Sequence, residues 1–346
     1  MQIVVLGSQR SGASVATRLI NMMGAAYESG KSTNTMENLT GGNVGFWENA
    51  AAVSLNDTIL GASSASWKSL SEWKMTKKPS AKLLSEIKVE KVNEGIQAAI
   101  DGFDSKRTSV IKDPRLCLTL PFWKDKLTTP IAVIVYRHPA EVAMSLQARH
   151  DFSLAHGVAL WEYYYTGVLN ATKGMTTFAI EHGELVTNPM KVLKSLHATL
   201  KKEGIKDLKM PPKKEVEAFV QEQLWRSKAD DEARAALTSE HNAQLIAMLS
   251  GKKKVPATML QPSLAAQDAM IAYGTIESRD ERMVEINRDM ASRDQEHGAL
   301  KGKIDQMQTQ IESLNARNAE RFEFIEEDEP TGLLARIFGK RERDAA

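Results

Sequence analysis

Residues 2–14, QIVVLGSQRSGAS, decide the fold. QIVVL is a β-branched apolar run without alternation, as expected for a strand covered on both faces. A glycine- and serine-rich turn follows at Gly7–Ser14, and the apolar spacing of VATRLINMMG then becomes helical. A strand, a glycine turn and a helix N-terminus in that order form an anion site. Backbone N–H groups without intrahelical partners and the helix dipole both point at the ligand. The ATP-binding version of such a loop carries GK[ST], with lysine on the terminal phosphates and Ser/Thr on magnesium. Here Arg10 stands where that cation belongs, ahead of Ser11 and Gly12, and Ser14 is placed to cap the helix or donate to an oxygen. Taken alone, the stretch also fits a plain strand-to-helix turn with Arg10 on the surface.

Working outward, three more apolar runs alternate with helical patterns: SVIKD (109–113), AVIVYR (132–137) and TTFAIEHGEL (176–185). This pattern predicts an α/β fold, a three-layer arrangement of a parallel sheet flanked by helices. Helices are expected over 80–100, 141–170 and 189–250, with a break at KMPPKK (209–214), and a polar loop near the site over 33–45. The expected α/β domain spans residues 1–255.

Beyond it, counting in sevens from Ile276 brings Met283, Met290, Ile304, Ile311 and Ile325 to one core position and Ile286, Leu300, Met307 and Leu314 to the other. His297 and Asn318 interrupt the first register, and Arg279, Arg293 and Arg321 the second. The pattern predicts a helical coiled coil over 276–325, strongest from Leu300 to Leu314, that sets a homo-oligomeric state or holds a partner; a single solvated helix is the alternative. Residues 326–346 read as an acidic and then amphipathic basic tail.

Composition limits the function. The 346 residues are 42% apolar and 26% charged with a formal net charge of +1, ordinary material for a soluble globular chain. Residues 1–275 carry 33 basic against 27 acidic side chains, which suits a small polyanionic ligand and excludes a nucleic-acid binder. Only one cysteine is present, Cys117, so no disulfide framework exists and the cytoplasm is the expected compartment. Neither a transmembrane segment nor a signal peptide is predicted. His138, His150, His156 and His182 lack metal-ligand spacing, and no metal is expected. The segment WEYYY (161–165) reads as core, with sugar stacking as the lesser alternative.

The loop GSQRSGAS resembles the 5′-phosphosulfate loop of sulfotransferases of the bacterial type. VIVYRHPAEVAMSL (133–146) resembles the second signature of that family, an arginine at a strand end and a serine eight residues later, here Arg137 and Ser145. EHGELVTNPMKVLKSL (181–196) resembles the next strand and helix. Together these cover about the first 200 residues and imply a P-loop NTPase-like sulfotransferase fold. They imply an enzyme that takes 3′-phosphoadenosine 5′-phosphosulfate (PAPS) as co-substrate, without bound metal, and sulfates a hydroxyl on a carbohydrate or small-molecule acceptor. By the same resemblance, Gly7, Arg10, Ser11, Gly12, Ala13 and Ser14 cradle the 5′-phosphosulfate, while Arg137 and Ser145 hold the 3′-phosphate.

Two segments offer a general base. In GFWEN, Glu48 follows Gly45, Phe46 and Trp47, the Gly-aromatic-Glu pattern common in the bacterial branch; it serves either as base or as a charge at the start of the next helix. In KDPR, Lys112 and Asp113 end a strand where many eukaryotic members place a lysine and then a catalytic histidine; no histidine follows here, so Asp113 becomes the second candidate base. An ion pair of Asp113 with Arg115 is the structural alternative, and Lys112 is a candidate ligand of the sulfuryl group. Two other classes stay open: a P-loop kinase or NTPase, and a degenerate nucleotide-binding scaffold acting through its coiled coil.

Overall fold

The computed structural model describes residues 1–27, 47–75, 81–86, 89–103, 107–220 and 227–327. The expected loop at 33–45 and the tail from 328 onward lie outside the described residues. The chain divides into two units, Met1–Ile276 and Glu277–Ala346.

In chain order the first unit contains β1 (Gln2–Leu6), α1 (Ala13–Met22), α2 (Ala50–Gly61), α3 (Ala81–Glu86), α4 (Val89–Asp101), β2 (Ser109–Lys112) and α5 (Leu116–Trp123). These are followed by β3 (Ile131–Tyr136), α6 (Pro139–His150), α7 (Leu154–Ala171), β4 (Thr176–Glu181), α8 (His182–Thr187), α9 (Pro189–Lys202), α10 (Lys213–Phe219), α11 (Asp231–Ala236) and α12 (Glu240–Leu249). One long helix, α13 (Leu264–Glu327), begins in the first unit and makes up the described part of the second. All four expected strands form. The last differs at its end, because helix α8 takes over at His182 where the apolar run suggested continued strand.

The strands are all parallel, in the order β2-β1-β3-β4. Their unbroken apolar character follows from a core on each face. Ile3, Val5, Val110 and Val133 face one layer with α1, α9 and α10, whereas Val4, Leu6, Ile111 and Ile134 face the other with α2, α5, α6 and α7. Successive side chains of a strand point to opposite faces, so a sheet covered on both sides needs an apolar residue at every position. β4, at the edge, relaxes this rule and alternates in burial. Ala266 and Met270 of α13 are buried in the second of these layers, so the long helix starts as part of the core.

From β1 the chain passes to one neighbour, β2, and then returns to the other side for β3. Ligand crevices of parallel sheets open at such a reversal, beyond the carboxyl ends of the strands. The ends of β1, β2 and β3 are therefore where functional side chains are to be sought.

Candidate active site

The turn after β1 is shaped by two left-handed residues, Arg10 (φ 67°) and Gly12 (φ 92°), and is closed by the Ser11 N–H donating to the Ser8 carbonyl at 3.2 Å. Gly12 is the N-cap of α1 and no side chain caps that helix end, which leaves the dipole facing the loop. Two glycines are demanded here. A Cβ on Gly7 would lie 2.5 Å from Ser11 Oγ and 2.6 Å from the Val135 carbonyl oxygen. A Cβ on Gly12 would run into the His182 ring.

Helix α7 supports this turn from below through the WEYYY segment, whose Trp161, Tyr164 and Tyr165 are fully buried as the core reading requires. Their polar tips are used as well. Tyr164 Oη accepts from Gln9 Nε2 at 2.9 Å and donates to the Trp67 carbonyl at 2.9 Å; Tyr165 Oη donates to the Val135 carbonyl at 2.7 Å; Trp161 Nε1 donates to the Arg137 carbonyl at 2.8 Å. A buried ring with a satisfied tip packs and orients at once, so one helix fixes both the loop and the end of β3.

At the end of β2 the KDPR residues separate by direction. Lys112, 3% exposed, sends Nζ to Glu48 Oε1 at 2.9 Å and to Ser14 Oγ at 3.3 Å. Glu48 is brought there by its neighbours. The Asn49 N–H donates to the Lys112 carbonyl at 3.2 Å, and the Asn49 side chain caps α2 by accepting from the Ala52 N–H at 2.9 Å. Trp47 is turned against Tyr27, with ring centroids 5.2 Å apart, and lies 5.0 Å beneath the Arg18 guanidinium. Asn49, then, is the cap of that helix, while the Glu48 carboxylate reaches the strand end and stays 22% exposed.

Asp113 turns the other way. It is wholly buried, accepts from Asn56 Nδ2 at 2.7 Å and pairs with Arg115 Nη1 at 2.9 Å. Asn56 in turn accepts from Thr119 Oγ1 at 2.7 Å and Trp123 Nε1 at 2.9 Å. Burial raises the Asp113 carboxyl above its usual range, opposed by Arg115 and Asn56 and reinforced by Glu48.

At the end of β3, Arg137 is 5% exposed and its Nε donates to Glu141 Oε2 at 2.8 Å, one helical turn along α6. Nη2 donates to the Ser227 carbonyl at 2.7 Å and Nη1 to the Arg10 carbonyl at 3.4 Å. Glu141, 1% exposed, also accepts from Arg234 of α11 at 2.6 Å. Ser145, the next residue on that face of α6, accepts from Arg10 Nε at 2.9 Å. Arg137 and Ser145 therefore flank the loop, Arg137 on its backbone and Ser145 on its cation. His182 opens α8 beneath Gly12, and burial, reinforced by Arg137, pushes its imidazole down to about 3.

Four contributors were not singled out in the sequence: Gln9, Glu141, His182 as a floor for Gly12, and Arg234. Glu141 had a readable signal in its helical spacing from Arg137 and Ser145. For Arg234, 93 residues distant from Glu141, there was none. Among the described residues no cluster of His, Cys, Asp and Glu suits a metal ion, and no helix is long and apolar enough to cross a membrane.

No protein-family model and no curated protein matches the chain. Among solved structures it is similar to the sulfotransferase domain from the Synechococcus PCC 7002 olefin synthase, at 14% identity and a TM-score of 0.39, covering 79% of this chain and 94% of that one. The sulfotransferase domain from the curacin biosynthetic pathway is similar at 16% identity and a TM-score of 0.35, over 79% and 96% of the two chains. Sulfotransferase STF9 from Mycobacterium avium is similar at 14% identity and a TM-score of 0.40, over 74% and 77%. At such overlaps the side chains of the site, not the likeness, carry a functional reading.

Proposed function

We propose that the chain is a cytoplasmic PAPS-dependent sulfotransferase acting on a hydroxyl of a carbohydrate or small molecule. One observation carries this reading. Fixed cations end both strands that flank β1, Lys112 at 3.3 Å from Ser14 Oγ and Arg137 at 3.4 Å from the Arg10 carbonyl. A ligand with anionic groups at two separate points, such as a bisphosphorylated nucleotide, matches two cations on opposite sides of one loop. Lys112 also puts its ammonium beside the loop serine, the place where an ATP-binding loop holds magnesium.

In this reading Gly7–Ser14 receive the 5′-phosphosulfate on the helix N-terminus, and Arg137 with Ser145 receives the 3′-phosphate. The acceptor oxygen attacks sulfur in line, the bond from sulfur to the bridging phosphate oxygen breaks, and 3′-phosphoadenosine 5′-phosphate leaves. Glu48 takes the acceptor proton, since it is open to solvent and Asp113 is not. As Glu48 is neutralised, Lys112 loses its countercharge and turns to the charge developing on the bridging oxygen. The proton and the cation are thereby exchanged within one pair.

Calorimetric titration of the full chain with 3′-phosphoadenosine 5′-phosphate and with ATP tests the assignment. The bisphosphate is expected to bind at least tenfold more tightly; a preference for ATP would instead favour a kinase or NTPase. Bisphosphate binding without turnover of PAPS over a panel of hydroxyl acceptors would favour the scaffold reading.

A further inference from the structure

The strongly exposed large apolar side chains among the described residues lie on α13. Nine of them, from Ile276 to Leu314, occupy the two core positions of one heptad frame and are 43% to 61% exposed. A seam of this length on a solvated helix is what a second helix covers. We infer that the occupant is a second copy of this chain, packed parallel and in register along residues 276–325.

The orientation follows from the polar residues that interrupt the seam. Arg279 and Arg293 fall at the second core position, two heptads apart, and both are exposed, as are Asp280 and Asp294 that follow them. In a parallel in-register pair, a side chain at that position inserts into a hole that includes the residue just after its counterpart on the facing helix. Arg279 then meets Asp280 of the second copy, Arg293 meets Asp294 of the second copy, and the symmetry repeats both pairs. Glu296 and Lys301 add a cross-helix pair at the flanking positions. Asp289 does approach Asp294 of the other copy, with Arg293 lying between them. Asn318, at the first core position, meets its own counterpart in this register and in no antiparallel one, and a lone buried asparagine pair is a known register lock.

The antiparallel alternative does worse. When the apolar block is laid on itself so that Ile304 faces Met307, Arg293 faces Asn318, and no acidic residue stands at the core or flanking positions beside it. A chain of a different kind would need acidic residues matched to Arg279 and Arg293. This chain already supplies them, each one residue further along.

Cysteine cross-linking of the full chain tests both copy and register, because Cys117 is fully buried and does not compete. Under mild oxidation, Leu314→Cys is expected to give a covalent dimer, and light scattering is expected to give twice the chain mass. A mixture of Ile304→Cys and Met307→Cys that cross-links better than either variant alone would overturn the parallel register. A monomeric mass at micromolar concentration, or an obligatory second protein, would overturn the second copy. Charge reversal supplies an independent arm. Arg279→Asp with Arg293→Asp should weaken the dimer at least tenfold, and adding Asp280→Arg and Asp294→Arg should restore it. An unchanged dimer in the first of these would refute the pairing. None of the readouts uses catalysis, so the outcome is separate from the proposed reaction.

Discussion

At the end of β2 a lysine meets a glutamate, and at the end of β3 an arginine does: Lys112 and Glu48 at 2.9 Å, Arg137 and Glu141 at 2.8 Å. The first pair joins residues 64 apart, and its carboxylate is 22% exposed. The second is local, i to i+4 across the start of α6, its carboxylate is 1% exposed, and a second guanidinium from Arg234 occupies the other oxygen. A partly exposed carboxylate can take a proton from a ligand and release its cation. A carboxylate held between two guanidiniums cannot move, and its effect is to orient them. In the proposed reaction, the same two charges thus act as a reactive pair on one side of the loop and as a rigid one on the other.

The largest effect should come from breaking the reactive pair. Lys112→Ala is expected to lower kcat by about 100- to 1000-fold, the range for losing one donor to a developing oxyanion. Steady-state kinetics with PAPS would measure it, and a loss under tenfold would remove Lys112 from the chemistry. Glu48→Gln should lower kcat by about 100-fold while nucleotide affinity changes less than threefold. If Asp113→Asn gave the larger loss in kcat, the two carboxylates would exchange roles.

On the rigid side, Glu141→Gln separates two possibilities by sign. Were Glu141 only a countercharge, its removal would tighten bisphosphate binding. As an orienting group, its removal should weaken binding roughly tenfold with kcat nearly unchanged, a split that calorimetry and kinetics together resolve. Smaller still is the loop itself: Gly12→Ala combines a left-handed backbone with a clash against His182, and should destabilise the fold by about 1–3 kcal/mol in denaturant unfolding.

The weakest and most general effect is on pH. His156, stacked 3.7 Å from Tyr273, is pushed down to about 4 by burial, and His182 to about 3. Both folded values lie below the unfolded one near 6.5, so their stabilising contribution is complete above pH 6.5 and is lost as pH falls toward those values. Each should lower stability by order 1–2 kcal/mol at pH 5, read as a falling Tm that His156→Phe flattens.

Much of the architecture was legible because it rests on local pattern. The parallel sheet was readable from apolar runs without alternation, and the loop from two glycines before a helix. Lys112 and Asp113 were named as candidates by type and by place at a strand end, and Glu48 by its place after a Gly-aromatic pair at the start of a helix. Their division of labour was not readable, because Lys112 and Asp113 are adjacent and a strand sends adjacent side chains in opposite directions. Only the packed sheet fixes which of those directions is the site and which is the core, where Asn56 and Arg115 await the carboxylate. The aromatic run of α7 was legible as core but not as the support of the loop, since the partners of Tyr164 and Trp161 come from other strands and loops.

By itself, then, the sequence determined the strand and helix periods, the glycine turn and the heptad seam, since each is set by residues within a few positions of one another. Tertiary structure alone decided that Lys112 meets Glu48 beside Ser14, that Asp113 is buried, and that Arg234 closes over Glu141. Those contacts join segments 64 to 98 residues apart, and only the packing of the parallel sheet with its helices brings them together.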